Sequence, residues 1–224
     1  MSAEPIKIVL LGETSVGKTS IINRFTQNSF NPNTLSSLNA QFVTKEIEIN
    51  GKKIIFDLWD TAGQEKYRSL AKIFYKDAKV IILVYDILNE KSFKALKEFW
   101  YNETINNAES DPIFALVANK IDLYQNQVVD NNDGKAFADE IKAIFQTTSA
   151  LSNSGISKLF DNLGKKIIMP DFDYKADDNE AKENFMKKKN EEKEAIEQKK
   201  NPKGLKLNNN NKDEKNEGKK KTCC

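Results

Sequence analysis

With 224 residues, 39% of them apolar, the chain is long enough to bury one full-sized core and carry an appendage. Of its 35 basic and 33 acidic residues, 15 and 13 lie from Asp171 to Cys224, leaving 20 of each before that point. Such a balance argues against nucleic-acid binding, which needs a basic surface to displace counterions from phosphates. Histidine is absent and the two cysteines are the adjacent Cys223 and Cys224, so a bracing disulfide is excluded and catalytic triads or zinc sites are disfavoured.

In chain order, Ile6 to Leu11 is a short apolar run closed by Gly12, a buried strand feeding a loop. A helix is expected from about Lys18 to Gln27. Phe42 to Ile49 and Lys53 to Asp60 are β-rich runs separated by Asn50-Gly51, a pair that tolerates positive φ, and they predict an antiparallel hairpin. Helical patterns near Lys66 to Phe74 and Ser92 to Ile105 precede the continuous apolar runs Val80 to Tyr85 and Ile113 to Ala118, which read as central parallel strands covered on both faces. Asn132 to Ile141 is a further helix, Phe145 to Thr148 a sixth strand, and Ile156 to Ile168 a last helix stopped by Pro170. The expectation is an α/β fold: a six-stranded, mostly parallel sheet with one antiparallel strand and helices on both faces.

Residues 1–170 therefore form the folded domain. From 171 to 224 the composition turns to Lys, Glu, Asp and Asn, with too little apolar surface to fold alone, and reads as a mobile linker. Val80 to Tyr85 is too short to span a membrane, and Met1 to Leu11 has no signal-peptide pattern, so a cytosolic chain is expected, with any membrane contact added later.

The chemistry begins at Gly12-Glu13-Thr14-Ser15-Val16-Gly17-Lys18-Thr19, a match to the phosphate-loop pattern between a predicted strand and a predicted helix. In such a loop the backbone N–H groups turn inward at a helix N-terminus, where the dipole also favours an anion. Ser15, Val16, Gly17, Lys18, Thr19 and Ser20 are the candidate phosphate-binding residues. Lys18 brings charge to the β and γ oxygens, and Thr19 a hydroxyl for Mg²⁺, which prefers oxygen ligands. Next comes Trp59-Asp60-Thr61-Ala62-Gly63-Gln64-Glu65 at the end of a strand. Asp60 is placed to reach the metal, Gly63 to offer its N–H to the γ-phosphate, and Gln64 to orient a water.

Asn119-Lys120-Ile121-Asp122 leaves a strand where such sheets open their ligand crevice. A carboxylate at Asp122 accepts two N–H bonds from the guanine edge, a donor pair adenine lacks. The stem of Lys120 covers one face of the base, and Thr148-Ser149-Ala150 supplies backbone amides near the base oxygen.

With these motifs in order, residues 5 to 170 resemble the Rab branch of the Ras-like small GTPases. The Rab-like features are Phe74-Tyr75-Lys76-Asp77-Ala78, Leu83-Val84-Tyr85-Asp86-Ile87 and the terminal Cys223-Cys224; Ser37 to Val43, with Ala40 and Phe42, is most like the endocytic Rabs. The resemblance implies GTP and GDP with Mg²⁺ as ligands, Phe30 and the Ser149-Ala150-Leu151 stretch at the guanine, and Ser37 on Mg²⁺ and the γ-phosphate. It makes the loop around Ser37 the first switch and Gly63 to about Tyr75 the second. Catalysis then rests on positioning and charge, with Gln64 placing the water and Lys18 taking developing charge; an arginine from another protein adds about 10³–10⁵-fold.

The resemblance also implies exchange factors, GTPase-activating proteins, effectors and escort or dissociation-inhibitor proteins acting on a monomer. It puts the chain on the cytoplasmic face of intracellular, endosomal membranes, with a soluble pool. Geranylgeranyl groups on Cys223 and Cys224 make the anchor, since one lipid binds only reversibly and two bind stably. Lys219-Lys220-Lys221 adds about 1 kcal/mol per charge near anionic lipid.

Four features depart from the family pattern: Ser37 for threonine, Asn39 for glycine, Leu151 for the lysine that usually covers the base, and a long tail. Two other function classes stand beside the traffic switch. Asp122 opposes a phosphate-loop ATPase or small-molecule kinase. Gln64 opposes a scaffold that binds nucleotide without cycling, which Ser37 and Asn39 keep in play.

Overall fold

The computed structural model describes residues 4–32, 41–61, 74–107 and 111–175. All of these residues except Lys175 belong to one unit, Met1–Tyr174. Six strands form one sheet in the order β2-β3-β1-β4-β5-β6: β1 (Ile6–Leu11), β2 (Gln41–Ile49), β3 (Lys52–Asp60), β4 (Val80–Asp86), β5 (Ile113–Asn119) and β6 (Ile144–Thr148). Only β2 runs antiparallel to its neighbour. It joins β3 through Asn50 and Gly51, whose φ angles of +51° and +76° are those a tight two-residue hairpin needs.

The central strands are apolar at nearly every position because both faces of the sheet are covered, the exceptions being Lys7 near the start of β1 and Asp86 and Asn119 at the ends of β4 and β5. Their side chains alternate between two cores, as a period of two requires. Val9, Leu11, Ile81, Leu83, Tyr85 and Leu116 point to one core, and Ile8, Leu10, Ile82, Val84, Ala115 and Val117 to the other. The first is covered by α2 (Glu90–Ala95), which runs on through a π-helical turn, Leu96–Trp100, into α3 (Tyr101–Asn107), and by α4 (Asn131–Glu140). The second is covered by α1 (Lys18–Gln27) and α5 (Ile156–Ile168), which bring Ile21, Ile22, Leu159, Phe160 and Leu163.

The expected strands and helices lie within a residue or two of these bounds, and the helix expected at Lys66 to Phe74 falls, but for Phe74, outside the described residues. Two features have no counterpart in the sequence patterns: the π-helical turn and a 3₁₀ helix over Ile121–Asn126. The topology matters for function because the C-terminal ends of β1, β3, β4, β5 and β6 open on the same edge as the N-terminus of α1. In open α/β sheets that edge is where ligands bind.

Candidate nucleotide site

A cavity of about 510 Å³ opens at this edge. At one end lies the loop from Gly12 to Gly17. Gly12 has φ +145°, and a Cβ there would sit 2.2 Å from the Val84 carbonyl oxygen; Gly17 has φ +101°, and its Cβ would meet Asn119 Nδ2 at 2.3 Å. Only glycine fits either position. Gly17 caps α1 without any side-chain hydrogen bond, which leaves the first N–H groups of the helix for a ligand.

Lys18 is 6% exposed, and its Nζ donates to the Gly12 and Glu13 carbonyls at 2.9 Å each. Burial pushes this ammonium down to about 8, against the opposing pull of Asp60 and Glu13. An anion beside it would further favour its charged form. Thr19 Oγ1 donates to Asp60 Oδ2 at 2.5 Å, a hydroxyl and a carboxylate from two elements brought to one point. Such hard oxygens suit Mg²⁺, which takes its other ligands from phosphates and water. The loop is braced from outside by Trp100, whose Nε1 donates to Glu13 Oε1 at 3.1 Å.

The other end is built by the turns after β5 and β6. Asn119 Nδ2 donates to the Val16 carbonyl at 2.8 Å, while its Oδ1 accepts from Thr148 Oγ1 at 3.0 Å. Lys120 stands in the left-handed region at φ +68°, with its ammonium 2.6 Å from Asp86 Oδ2, so its stem is held in place rather than free. Ser149 Oγ donates to Asp122 Oδ1 at 2.5 Å and orients the carboxylate. Phe30, Leu123, Ala150 and Leu151 complete the wall, a mix of apolar surface and a few aimed polar groups that suits a flat heterocycle.

Of the residues picked from the sequence, Ser15, Gly17, Lys18, Thr19, Ser20, Phe30, Asn119, Lys120, Asp122, Ala150 and Leu151 line this one cavity. Val16 is 1% exposed and does not line the cavity; its carbonyl accepts from Asn119. Ser149 differs from the expectation in one respect: its N–H donates to the Ser154 carbonyl at 3.0 Å, so its hydroxyl, acting on Asp122, is what reaches the site. Ser37, Gly63, Gln64, Cys223 and Cys224 lie outside the described residues.

Sequence reading missed Arg24, Asp86 and Trp100, which work behind the wall. It also missed Trp59, which lies between Phe42 and Phe74 at ring distances of 5.1 and 6.2 Å, Phe42 being half exposed. An indole closing the phosphate loop has no local signature, because Glu13 and Trp100 are far apart in the chain.

A glycine loop between a parallel strand and a helix, a buried lysine, a paired hydroxyl and carboxylate, and a base pocket on neighbouring strand ends define a phosphate-loop nucleotide-binding domain. Residues 7–169 match the family model described as "Ras family". RabJ of Dictyostelium discoideum is 42% identical over 163 residues, 73% of this chain and 63% of RabJ. Human Rab-21 is 40% identical over 166 residues, 74% of this chain and 73% of its own. Human Rab-22A is 39% identical over 171 residues, 76% of this chain and 88% of its own. The chain belongs to the Ras family, in its Rab branch: it is a small GTPase that binds GTP and GDP with Mg²⁺ and serves as a switch in membrane traffic.

Proposed function

We propose that the chain is a lipid-anchored switch that cycles between GDP and GTP on endosomal membranes and hydrolyses GTP slowly. The observation that carries this reading is that one cavity is lined at one end by Asp122, oriented by Ser149, and at the other by Lys18 and by Thr19, whose hydroxyl bonds the buried Asp60 behind it. That spacing of a double acceptor and a phosphate cradle fits a guanine nucleotide. Asp122 accepts the two guanine N–H groups, Asn119 ties the base turn to the phosphate loop, and Lys120 and Phe30 flank the ring. Lys18 bonds the phosphates, and Thr19, Asp60 and Ser37 hold Mg²⁺, which would neutralise charge developing on the phosphate oxygens. Gly63 meets the γ-phosphate and Gln64 orients the attacking water. With positioning as the main device, turnover is slow and its timing is left to exchange factors and GTPase-activating proteins.

Effectors, in this reading, dock on the surface that includes Phe42 and Trp59. Aromatic side chains are typical anchors of protein interfaces, and the half-exposed Phe42 and the partly buried Trp59 lie at the ends of β2 and β3 nearest the proposed switches. Membership of the Rab branch supports the traffic role, and similarity to Rab-21 and Rab-22A supports the endosomal site. Among the described residues no helix is long and apolar enough to cross a membrane. Residues 1–170 are the GTP-binding domain and 171–224 a charged connector to the geranylgeranylated Cys223 and Cys224, with escort proteins carrying a monomer between membrane and cytosol.

The test is replacement of both Cys223 and Cys224 by serine. The protein is expected to move from the membrane fraction to the soluble one with its GTP affinity unchanged. Retention on membranes would overturn the lipid anchor and leave a protein partner or the basic tail to hold it.

A further inference from the structure

Arg24 belongs to none of the nucleotide motifs, yet its guanidinium, behind the wall of the base pocket, bonds the backbone of both the turn after β6 and the end of α1. Nε donates to the Ala150 carbonyl at 2.8 Å and Nη2 to the Leu151 carbonyl at 3.2 Å. Nη1 donates to the Asn28 carbonyl at 2.9 Å, which ties the head group back to the end of α1. The guanidinium carbon also lies 6.0 Å from the Phe30 ring centroid, within the range of a cation–π contact. One side chain thus touches the turn after β6 and the aromatic that closes the cavity across from it.

The consequence follows from the planarity of the peptide bond. A trans peptide points its C=O and N–H in opposite directions. The Leu151 carbonyl is held by Arg24, and the N–H of the same peptide, that of Ser152, donates to Ser149 Oγ at 3.0 Å. Ser149 Oγ in turn donates to Asp122 Oδ1 at 2.5 Å. An unbroken chain of hydrogen bonds therefore runs from Arg24 through one peptide plane and one hydroxyl to the carboxylate. Bonds in such a series polarise and orient one another, and here the series runs from a cationic donor, the guanidinium, to an anionic acceptor, the carboxylate. Arginine suits the position because its planar fork grips two successive carbonyls, which a lysine ammonium does not do with the same geometry.

We infer that Arg24 is a positioning residue for base selectivity: by holding the Ala150 and Leu151 carbonyls it aims Asp122, through Ser149, at the two donors of the guanine edge. The assignment rests on the reading of this cavity as a guanine site.

The experiment measures dissociation of fluorescent GDP and IDP, with Mg²⁺ in excess, from the wild-type protein and from the Arg24→Ala and Arg24→Lys variants. Inosine lacks the exocyclic amino group and uses only one acceptor of Asp122. GDP release is expected to quicken roughly tenfold in Arg24→Ala, the loss typical of charged hydrogen bonds. IDP release should quicken less, so that the GDP-over-IDP preference shrinks, with Arg24→Lys falling between. Equal acceleration of both nucleotides would mean that Arg24 only stabilises the fold, and no acceleration that it does nothing here; either result overturns the inference. A wild-type protein that retains ADP as well as GDP would instead overturn the guanine reading itself, and this inference with it. If Arg24→Ala does not fold, the lysine variant alone decides, since it keeps the charge and loses the fork.

Discussion

The side-chain amide of Asn119 donates to the Val16 carbonyl at 2.8 Å, joining residues 103 positions apart in the chain and, with them, the base turn to the phosphate loop. The same side chain accepts from Thr148 and lies where a Cβ on Gly17 would fall. It is 2% exposed, so both bonds are made out of reach of water. Replacing Asn119 by alanine leaves the Val16 carbonyl and the Thr148 hydroxyl without their partner, at a cost of about 1–3 kcal/mol. Nucleotide release should quicken by roughly ten- to a hundredfold, measured with a fluorescent GDP. A rate within twofold of wild type would show that the two halves of the site are fixed by something else.

Asp122→Asn should exchange guanine for xanthine preference. The amide keeps one acceptor and offers one donor, which matches the xanthine edge, while Ser149 Oγ can still donate to the remaining oxygen as it now does to Oδ1 at 2.5 Å. Competition between GDP and XDP measures the exchange. Retained preference for GDP would remove Asp122 from the base site.

Phe160 of α5 is 0% exposed and stacks on Phe25 of α1 with ring centroids 3.7 Å apart. These rings join the two helices that cover one face of the sheet, at a distance from the cavity wall. Phe160→Ala should cost about 3–5 kcal/mol of stability, a large share of the 5–15 kcal/mol typical of a domain. Urea unfolding is expected to show it, with guanine selectivity unchanged. A loss below about 1 kcal/mol would mean the helices close over the gap.

These residues also show how far the chain can be read before folding. β1, β4 and β5 are recognisable because a strand covered on both faces is apolar at nearly every position along its length, and the Asn50-Gly51 turn because few pairs accept two positive φ angles. The ligand motifs are visible because phosphate and guanine chemistry demand particular residues at fixed spacing. Arg24, Asp86 and Trp100 carry no such mark. Each acts on a partner distant in sequence, Ala150, Lys120 and Glu13, and each by itself looks like an ordinary helix arginine, strand-end aspartate or core tryptophan. The π-helical turn at Leu96–Trp100 is similarly silent, since a single inserted residue barely disturbs a helical apolar pattern.

The proposed cycle stands or falls on turnover of bound GTP. Protein loaded with GTP and Mg²⁺, freed of excess nucleotide, should release one equivalent of phosphate slowly, and Gln64→Leu should bind GTP as well as wild type while releasing phosphate markedly more slowly. A wild-type protein that retains GTP without releasing phosphate, or a Gln64→Leu variant that turns over at the wild-type rate, would contradict the account.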